Sequence, residues 1–133
     1  MALTSNWLIA TYGTKYAMKT LDYAAVLSTE LKDTPSVTIL IVAKDMSSEA
    51  ESADILHKAL IRFAEKCEDK ILPDIEVRIG EPTEEILTAI KELQIDHLFM
   101  GGGDFKYDIN MPGGGGISNR ILNEFHGTVT LVK

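Results

Sequence analysis

The sequence has one cysteine, Cys67, among 133 residues. A single thiol cannot form an internal disulfide, so a disulfide-stapled secreted fold is excluded. No apolar run approaches the roughly 20 residues that a membrane-spanning helix needs. The segment from Met1 to Trp7 has neither the basic nor the long apolar stretch of a secretory signal. These absences predict a cytoplasmic protein without a membrane association.

Basic residues are also scarce. The chain has 13 Lys and Arg against 20 Asp and Glu, a net charge of −7. Nucleic acids and anionic membranes bind through clustered Lys and Arg, so both are disfavoured as partners. The 45% apolar and 25% charged residues are typical of a globular chain. The length predicts one domain, residues 1–133.

The apolar pattern alternates between strand-like and helical periods. A helical stripe begins at Ala17, and a second runs through Leu56 and Phe63. Pro82 fits the first turn of a third helix, and a fourth begins near Ile117. The predicted strands are Trp7–Thr11, Val37–Val42, Ile75–Ile79, His97–Met100 and Thr128–Val132. The order βαβαβαβαβ predicts a doubly wound α/β domain, a five-stranded parallel sheet with helices on both faces.

Three connections should meet at the carboxyl ends of these strands, where such sheets bind ligands. They are residues 12–15, 43–47 and 101–116. At the second of them, Ser48 and Glu51 have the spacing of a capping box. We therefore expect the Ser48 hydroxyl to cap the second helix, and Asp45 to be a solvated acid or a helix-start residue.

The third connection, Gly101–Gly116, holds seven of the ten glycines and leads into the last helix. Backbone amides of glycines approach anions closely, and a helix N-terminus adds a favourable partial charge. The segment from Gly113 to Ser118 is therefore a candidate phosphate cradle, with the Ser118 hydroxyl as a further donor. A flexible surface loop would have the same composition, and spacing alone does not separate the two interpretations.

Four segments in the same order resemble the universal stress protein family. They are Leu8–Thr14, Gly80–Leu87, Ile95–Gly101 and Gly115–Leu122, the last close to the family's Gly-Ser-Val-Ser-Asn-Arg-Val-Leu. The resemblance implies the strand order 3-2-1-4-5 and a homodimer formed through the last strand, Thr128–Val132. It also implies that a nucleotide would lie near these positions: Val42, Met100, Gly101, Gly115, Gly116, Ile117 and Ser118.

The chain departs from the pattern of the family's ATP-binding members. Asp104 stands where that pattern has a second glycine, the interval to Gly115 is one residue longer, and Gly116 replaces a hydroxyl residue. Tyr12 replaces an Asp that contacts the nucleoside. Its ring would either stack on a base or close the empty site.

Three functions remain open from the sequence. The first is a regulatory protein that binds an adenine nucleotide (ATP or AMP, with Mg²⁺) or another phosphorylated ligand in the Gly-rich segment. The second is a nucleotide-free dimeric interaction module that has lost the ATP site. The third is a slow ATP hydrolase, for which Lys106 and Arg120 are the nearby cations.

Other chemistry is disfavoured. His57, His97 and His126 lack metal-ligand spacing, and the last two are explained by helix-dipole or strand-start positions. A triad of Ser118, His126 and an Asp lacks a nucleophile-elbow sequence. Cys67 lies on a core stripe and is expected to be a buried, inert thiol.

Overall fold

The computed structural model describes residues 5–11, 15–101 and 117–133. Its helices and strands alternate as the apolar periods predict. In chain order they are β1 (Asn6–Ala10), α1 (Lys15–Thr29), β2 (Ser36–Ala43), α2 (Glu49–Lys66), β3 (Asp74–Ile79), α3 (Pro82–Glu92), β4 (His97–Gly101), α4 (Ile117–Glu124) and β5 (Thr128–Val132). No helix in these ranges has both the length and the apolar character needed to cross a membrane.

The five strands form one parallel sheet in the order β3-β2-β1-β4-β5, as expected. α1 and α2 cover one face, where Trp7, Ile39 and Phe99 pack against Leu21 and Phe63. α3 and α4 cover the other face. There the buried side chains are Leu8, Ala10, Leu40, Val42, Leu98 and Met100 of the sheet with Ile86, Ile90, Ile121 and Phe125 of the helices. A sheet covered on both faces explains the continuously apolar central strands.

The edge strands differ from the central ones. In β3, which lies at one edge of the sheet, Ile75 and Val77 are half-buried like Glu76 and Arg78, and Ile79 is exposed. β5 pairs only with β4 among the described strands. Its Leu131 side chain is 45% exposed.

The start of α2 differs from the prediction. Ser48 precedes the helix but its side chain makes no capping hydrogen bond. A short 3₁₀ turn, Met46–Ser48, lies before α2, and Asp45 caps that turn by accepting from the Ser48 amide. The capping-box prediction is wrong because the side chain that accepts the amide hydrogen bond here is that of Asp45, not that of Ser48. The helix-start role predicted for Asp45 is confirmed.

Two details of the helices go beyond the sequence-based prediction: the buried positions of α2 and the end of α4. In α2, Leu56 and Phe63 of the predicted stripe are buried together with Ser52 and Ala59. α4 ends at Glu124, three residues before Gly127, although glycine commonly stands just past the end of a helix. Gly127 instead lies where a Cβ atom would meet the Asp96 carbonyl oxygen at 2.6 Å, so its role is steric.

Candidate functional site

The strand order creates a switch point between β1 and β4. The chain proceeds from β1 outward to β2 and β3, then crosses to β4 on the other side of β1. β1 and β4 pair directly, with Trp7 opposite His97 and Ile9 opposite Phe99. Their carboxyl ends are therefore neighbours, and the helices that follow them in the chain, α1 and α4, lie on opposite faces of the sheet. Doubly wound sheets bind ligands in this crevice.

The described base of the crevice is apolar. Val42 and Met100, which the sequence predicts to lie near a nucleotide, both belong to the core on the α3 and α4 face. Val42 is 9% exposed and Met100 is fully buried, so the Met100 side chain lies beneath the surface of the base rather than on it. Thr11 is buried, and its amide donates to the Leu40 carbonyl oxygen at 2.9 Å, which fixes the point where β1 ends.

The remaining predicted site residues divide into two groups. Gly101 is the last residue of β4, opposite Val132, and Ile117 and Ser118 are the first residues of α4. These three therefore lie at the expected ends of their elements. Tyr12, Gly115 and Gly116, together with Asp104 and Lys106, lie outside the described residues.

α4 begins at the same end of the sheet because its far end is anchored in the core. Ile121 is fully buried and Phe125 is 9% exposed, both in the cluster that contains Met100. The helix has eight residues, and its first turn follows the Gly-rich segment directly. Such amides and the helix dipole favour a bound anion.

The connection after β2 is held by its own side chains. The Asp45 carboxylate accepts from the Ser47 hydroxyl at 2.5 Å and from the Ser48 amide at 3.2 Å. The Ser47 hydrogen bond lowers the pKa of Asp45, with the Ser48 bonds acting in the same direction. Asp45 is thus an anion near the mouth of the crevice.

The start of α3 is acidic. Glu81 caps the helix by accepting from the Glu84 amide at 2.7 Å, and Pro82 occupies the first turn as predicted. Glu84 and Glu85 follow in that turn. Acids at a helix N-terminus are stabilised by the helix dipole.

Arg120, in the first turn of α4, is held by two carboxylates. One of its terminal nitrogens donates to Glu84 of α3, and its Nε donates to Glu124 at 2.9 Å. These hydrogen bonds, the Glu84 bond foremost, raise the pKa of Arg120. Sequence spacing predicts the Glu124 pair, four residues along one helix, but not the Glu84 pair across 36 residues.

The histidine and cysteine predictions have mixed outcomes. The described residues contain no group of three or more His, Cys, Asp or Glu placed to hold a metal. Cys67 is buried, as expected, and contacts the Ile71 carbonyl oxygen at 3.5 Å. His97 is the first residue of β4, which confirms its predicted strand-start position. It is 7% exposed, stacks on Phe99 at 4.0 Å between ring centroids, and lies 2.7 Å from the Thr130 hydroxyl.

A second hollow lies at the opposite end of the sheet. It has a volume of about 330 Å³ and a mostly apolar lining between the C-terminal ends of α3 and α4, which includes Ile90, Ile95 and Phe125. None of the predicted site residues lines it. It is the natural comparison site for any ligand titration.

The parallel order 3-2-1-4-5, with the crevice between β1 and β4, places the chain in the doubly wound α/β class. No protein-family model matches the sequence, and no curated protein matches it. Solved structures match along nearly the whole chain, and several of them are universal stress proteins.

Three of these structures illustrate the likeness. A universal stress protein in complex with cAMP has a TM-score of 0.77 and 16% identity, covering 98% of each chain. One from Archaeoglobus fulgidus in complex with dAMP has a TM-score of 0.76 and 12% identity, covering 99% of this chain and 100% of that one. Universal stress protein UspA from Lactobacillus plantarum has a TM-score of 0.75 and 16% identity, covering all of both chains. The chain therefore has the universal stress protein fold, and the resemblance drawn from its four sequence segments is confirmed at that level.

Proposed function

We propose that this protein binds an adenine nucleotide, or another phosphorylated ligand, where β1 and β4 end. The observation that carries the proposal is the start of α4 directly after the Gly-rich segment, beside the apolar base formed by Val42 and Met100. An apolar base suits a purine ring, and the positive end of a helix dipole suits a phosphate. Two proteins with this fold bind cAMP and dAMP.

The output of binding is a change of conformation or of partner association rather than turnover. Arg120, the described cation nearest the cradle in sequence, is already bound by Glu84 and Glu124. Phosphoryl transfer needs cations aimed at the developing charge. This arrangement favours a binding protein over an ATP hydrolase.

Isothermal titration calorimetry with AMP, cyclic AMP and ATP, with and without Mg²⁺, tests the proposal. Saturable heat with an adenine nucleotide is the expected result, and inorganic phosphate alone separates phosphate recognition from nucleotide recognition. Ser118→Ala should weaken binding, because the hydroxyl is a predicted phosphate donor. Asn123→Ala, at an exposed position of the same helix, is the matched control and should bind normally.

Negative results in these assays are equally informative. Absence of both heat and a thermal shift for every ligand would refute the nucleotide proposal. Phosphate release from ATP that scales with the wild-type protein and vanishes in Ser118→Ala would establish the hydrolase instead.

The second candidate function, a dimeric interaction module, is favoured by β5. One edge of β5 is unpaired among the described strands, and Leu131 is 45% exposed beside half-buried Val129. Exposed apolar edges pair readily with another strand. We propose that two copies associate through Thr128–Val132.

Light scattering after size-exclusion chromatography tests the association. Leu131→Lys should convert a dimer into a monomer. Leu72→Lys is the control, since Leu72 is 83% exposed and lies between α2 and β3. A wild-type monomer at high concentration, or equal effects of both variants, would refute pairing through β5.

A further inference from the structure

The opposite hollow is the cavity of about 330 Å³ between the C-terminal ends of α3 and α4. Every residue that lines it belongs to the described part of the chain, and none belongs to the crevice at the carboxyl end of the sheet. Its apolar wall consists of Leu87, Ile90, Ile95 and Phe125, each less than a tenth exposed. A mostly apolar cavity of this size with a few polar groups is typical of a site for one small ligand.

Asp96 is a polar residue of this lining, and its carboxylate has an unused hydrogen-bond acceptor. Its Oδ2 accepts from the Ser5 amide at 2.8 Å, the Ser5 hydroxyl at 2.9 Å and the Asn6 amide at 3.0 Å. Its Oδ1 is out of contact with solvent and accepts no hydrogen bond from any described residue. A buried carboxylate oxygen without a donor costs free energy, and a ligand that brings a donor to this carboxylate removes that cost.

The backbone of Asp96 is fixed as well. Its amide donates to the Asn6 carbonyl oxygen at 3.0 Å, and its carbonyl oxygen accepts from the Thr128 amide at 3.0 Å. The starts of β1, β4 and β5 therefore converge on this residue. A ligand that binds the Asp96 carboxylate meets an acceptor that is already oriented, so little conformational entropy is lost on binding.

The electrostatic surroundings of the hollow favour a cation over an anion. Two helix C-termini flank it, and each carries a negative partial charge. The last turn of α4 has no basic residue. The charged side chains of the lining are Asp96, Glu124 and Lys91, a net charge of −1 when histidine is counted as neutral. Glu124 is paired with Arg120, whereas Asp96 forms no ion pair within the described ranges.

We propose that the opposite hollow binds a small organic cation, a primary amine on an apolar body, with the ammonium group at Asp96 and the body against Ile90 and Phe125. An ammonium group only donates hydrogen bonds, which matches a carboxylate oxygen that lacks a donor. The apolar body displaces water from the walls that α3 and α4 provide. This site is separate from the crevice proposed for a nucleotide, so the two proposals can fail independently.

An NMR titration of the isotope-labelled protein with 2-phenylethylamine tests the proposal. 2-Phenylethanol and 3-phenylpropionate are matched ligands, because they keep the ring and the two-carbon chain but end in a neutral hydroxyl and a carboxylate. The amine should shift the amides of Ile95 and Gly127 saturably, with a dissociation constant of about 1 mM. The alcohol should bind about tenfold more weakly, since a neutral hydrogen bond replaces a charge-assisted one. The propionate should give no saturable shift.

Three variants test the role of Asp96. Asp96→Asn keeps an acceptor for Ser5 and Asn6 but removes the charge, so it should weaken amine binding about tenfold and leave the alcohol unchanged. Asp74→Asn is the matched control, an exposed residue at the start of β3 and the same end of the sheet, and should stay within about twofold. Lys91→Gln leaves the Asp96 hydrogen bonds intact and removes a like charge, so the amine should bind about twofold more tightly.

Each contrary result has a distinct meaning. Equal affinities for the amine and the alcohol would overturn the choice of a cation, since apolar contact alone would then explain binding. Shifts away from the hollow, or no saturable shift with the amine, would overturn the site itself. Equal losses in Asp96→Asn and Asp74→Asn would assign the effect to diffuse charge. If Asp96→Asn does not fold, an amine affinity that fails to rise in Lys91→Gln would still contradict the proposal.

Discussion

Gly127 lies between α4 and β5 at a point where the backbone leaves no space for a side chain. A Cβ atom there would meet the Asp96 carbonyl oxygen at 2.6 Å and would overlap the ring of Phe125. The same carbonyl oxygen accepts a 3.0 Å hydrogen bond from the Thr128 amide, which holds the start of β5 against the start of β4. The backbone of Gly127 is outside the left-handed region, so contact alone sets the effect of a substitution.

We expect Gly127→Ala to destabilise the protein by about 2–4 kcal/mol. Overpacking contributes about 1–3 kcal/mol, and a weakened backbone hydrogen bond contributes about 1 kcal/mol. For a chain of this length the melting temperature should fall by roughly 10 °C. Urea unfolding followed by the fluorescence of Trp7, the single and fully buried tryptophan, measures the change.

A second substitution separates the two contacts. Phe125→Leu removes the ring contact but not the carbonyl contact, so the double variant should be less destabilised than the sum of the single variants. Asn123→Ala, exposed on α4, should stay within about 0.5 kcal/mol of the wild type. A Gly127→Ala protein as stable as Asn123→Ala would refute the steric role of Gly127.

Three further predictions concern the cores and the ion pairs. Burial lowers the pKa of His97 below 6.5, against a smaller opposing effect of Asp96, so the unfolded chain takes up this proton first. The contribution of His97 to the free energy of unfolding should therefore be fully present above about pH 6.5 and decrease as the pH drops toward 5. His97→Gln should flatten that part of the curve of unfolding free energy against pH, measured with urea. Arg62 and Asp22 form two hydrogen bonds, each 2.7 Å long, that join α2 to α1 at a partly exposed position. A double-mutant cycle on the unfolding free energy should give a coupling energy of about 0.5 kcal/mol between these side chains, decreasing in 1 M salt. A coupling energy that does not depend on salt would contradict this prediction. Phe63→Ala, at a fully buried position, should cost about 3–5 kcal/mol, and a loss below about 1 kcal/mol would show that the α2 core is loosely packed.

Most of the fold follows from local patterns. Buried β-branched runs and helical stripes are short-range signals, so all four helices are predicted and all five strands are predicted to within one residue of their observed bounds. Helix ends are harder. Glu68 and Asp69, just after α2, and Gln94, just after α3, have left-handed backbone conformations. No glycine marks the end of either helix. Asp45 accepts the hydrogen bond of the Ser48 amide in a 3₁₀ turn, and residue spacing alone does not predict that turn.

The candidate site is only partly predictable for a different reason. Val42, Met100 and Gly101 end strands or nearly do, so the topology places them once the strands are known. The link between Glu84 and Arg120 depends on how α3 and α4 pack, and no local signal encodes it. The predictions for Tyr12, Gly115 and Gly116 concern residues outside the described ranges and stay predictions.

The most direct test of nucleotide binding is an NMR titration of the isotope-labelled protein with cyclic AMP or AMP, following backbone amides. We predict saturable shifts at the carboxyl end of the sheet, at Thr11, Ala43, Gly101 and Ile117, with little change at Gly127 beside the opposite hollow. Shifts confined to that opposite hollow, or no saturable shift at any residue, would contradict it.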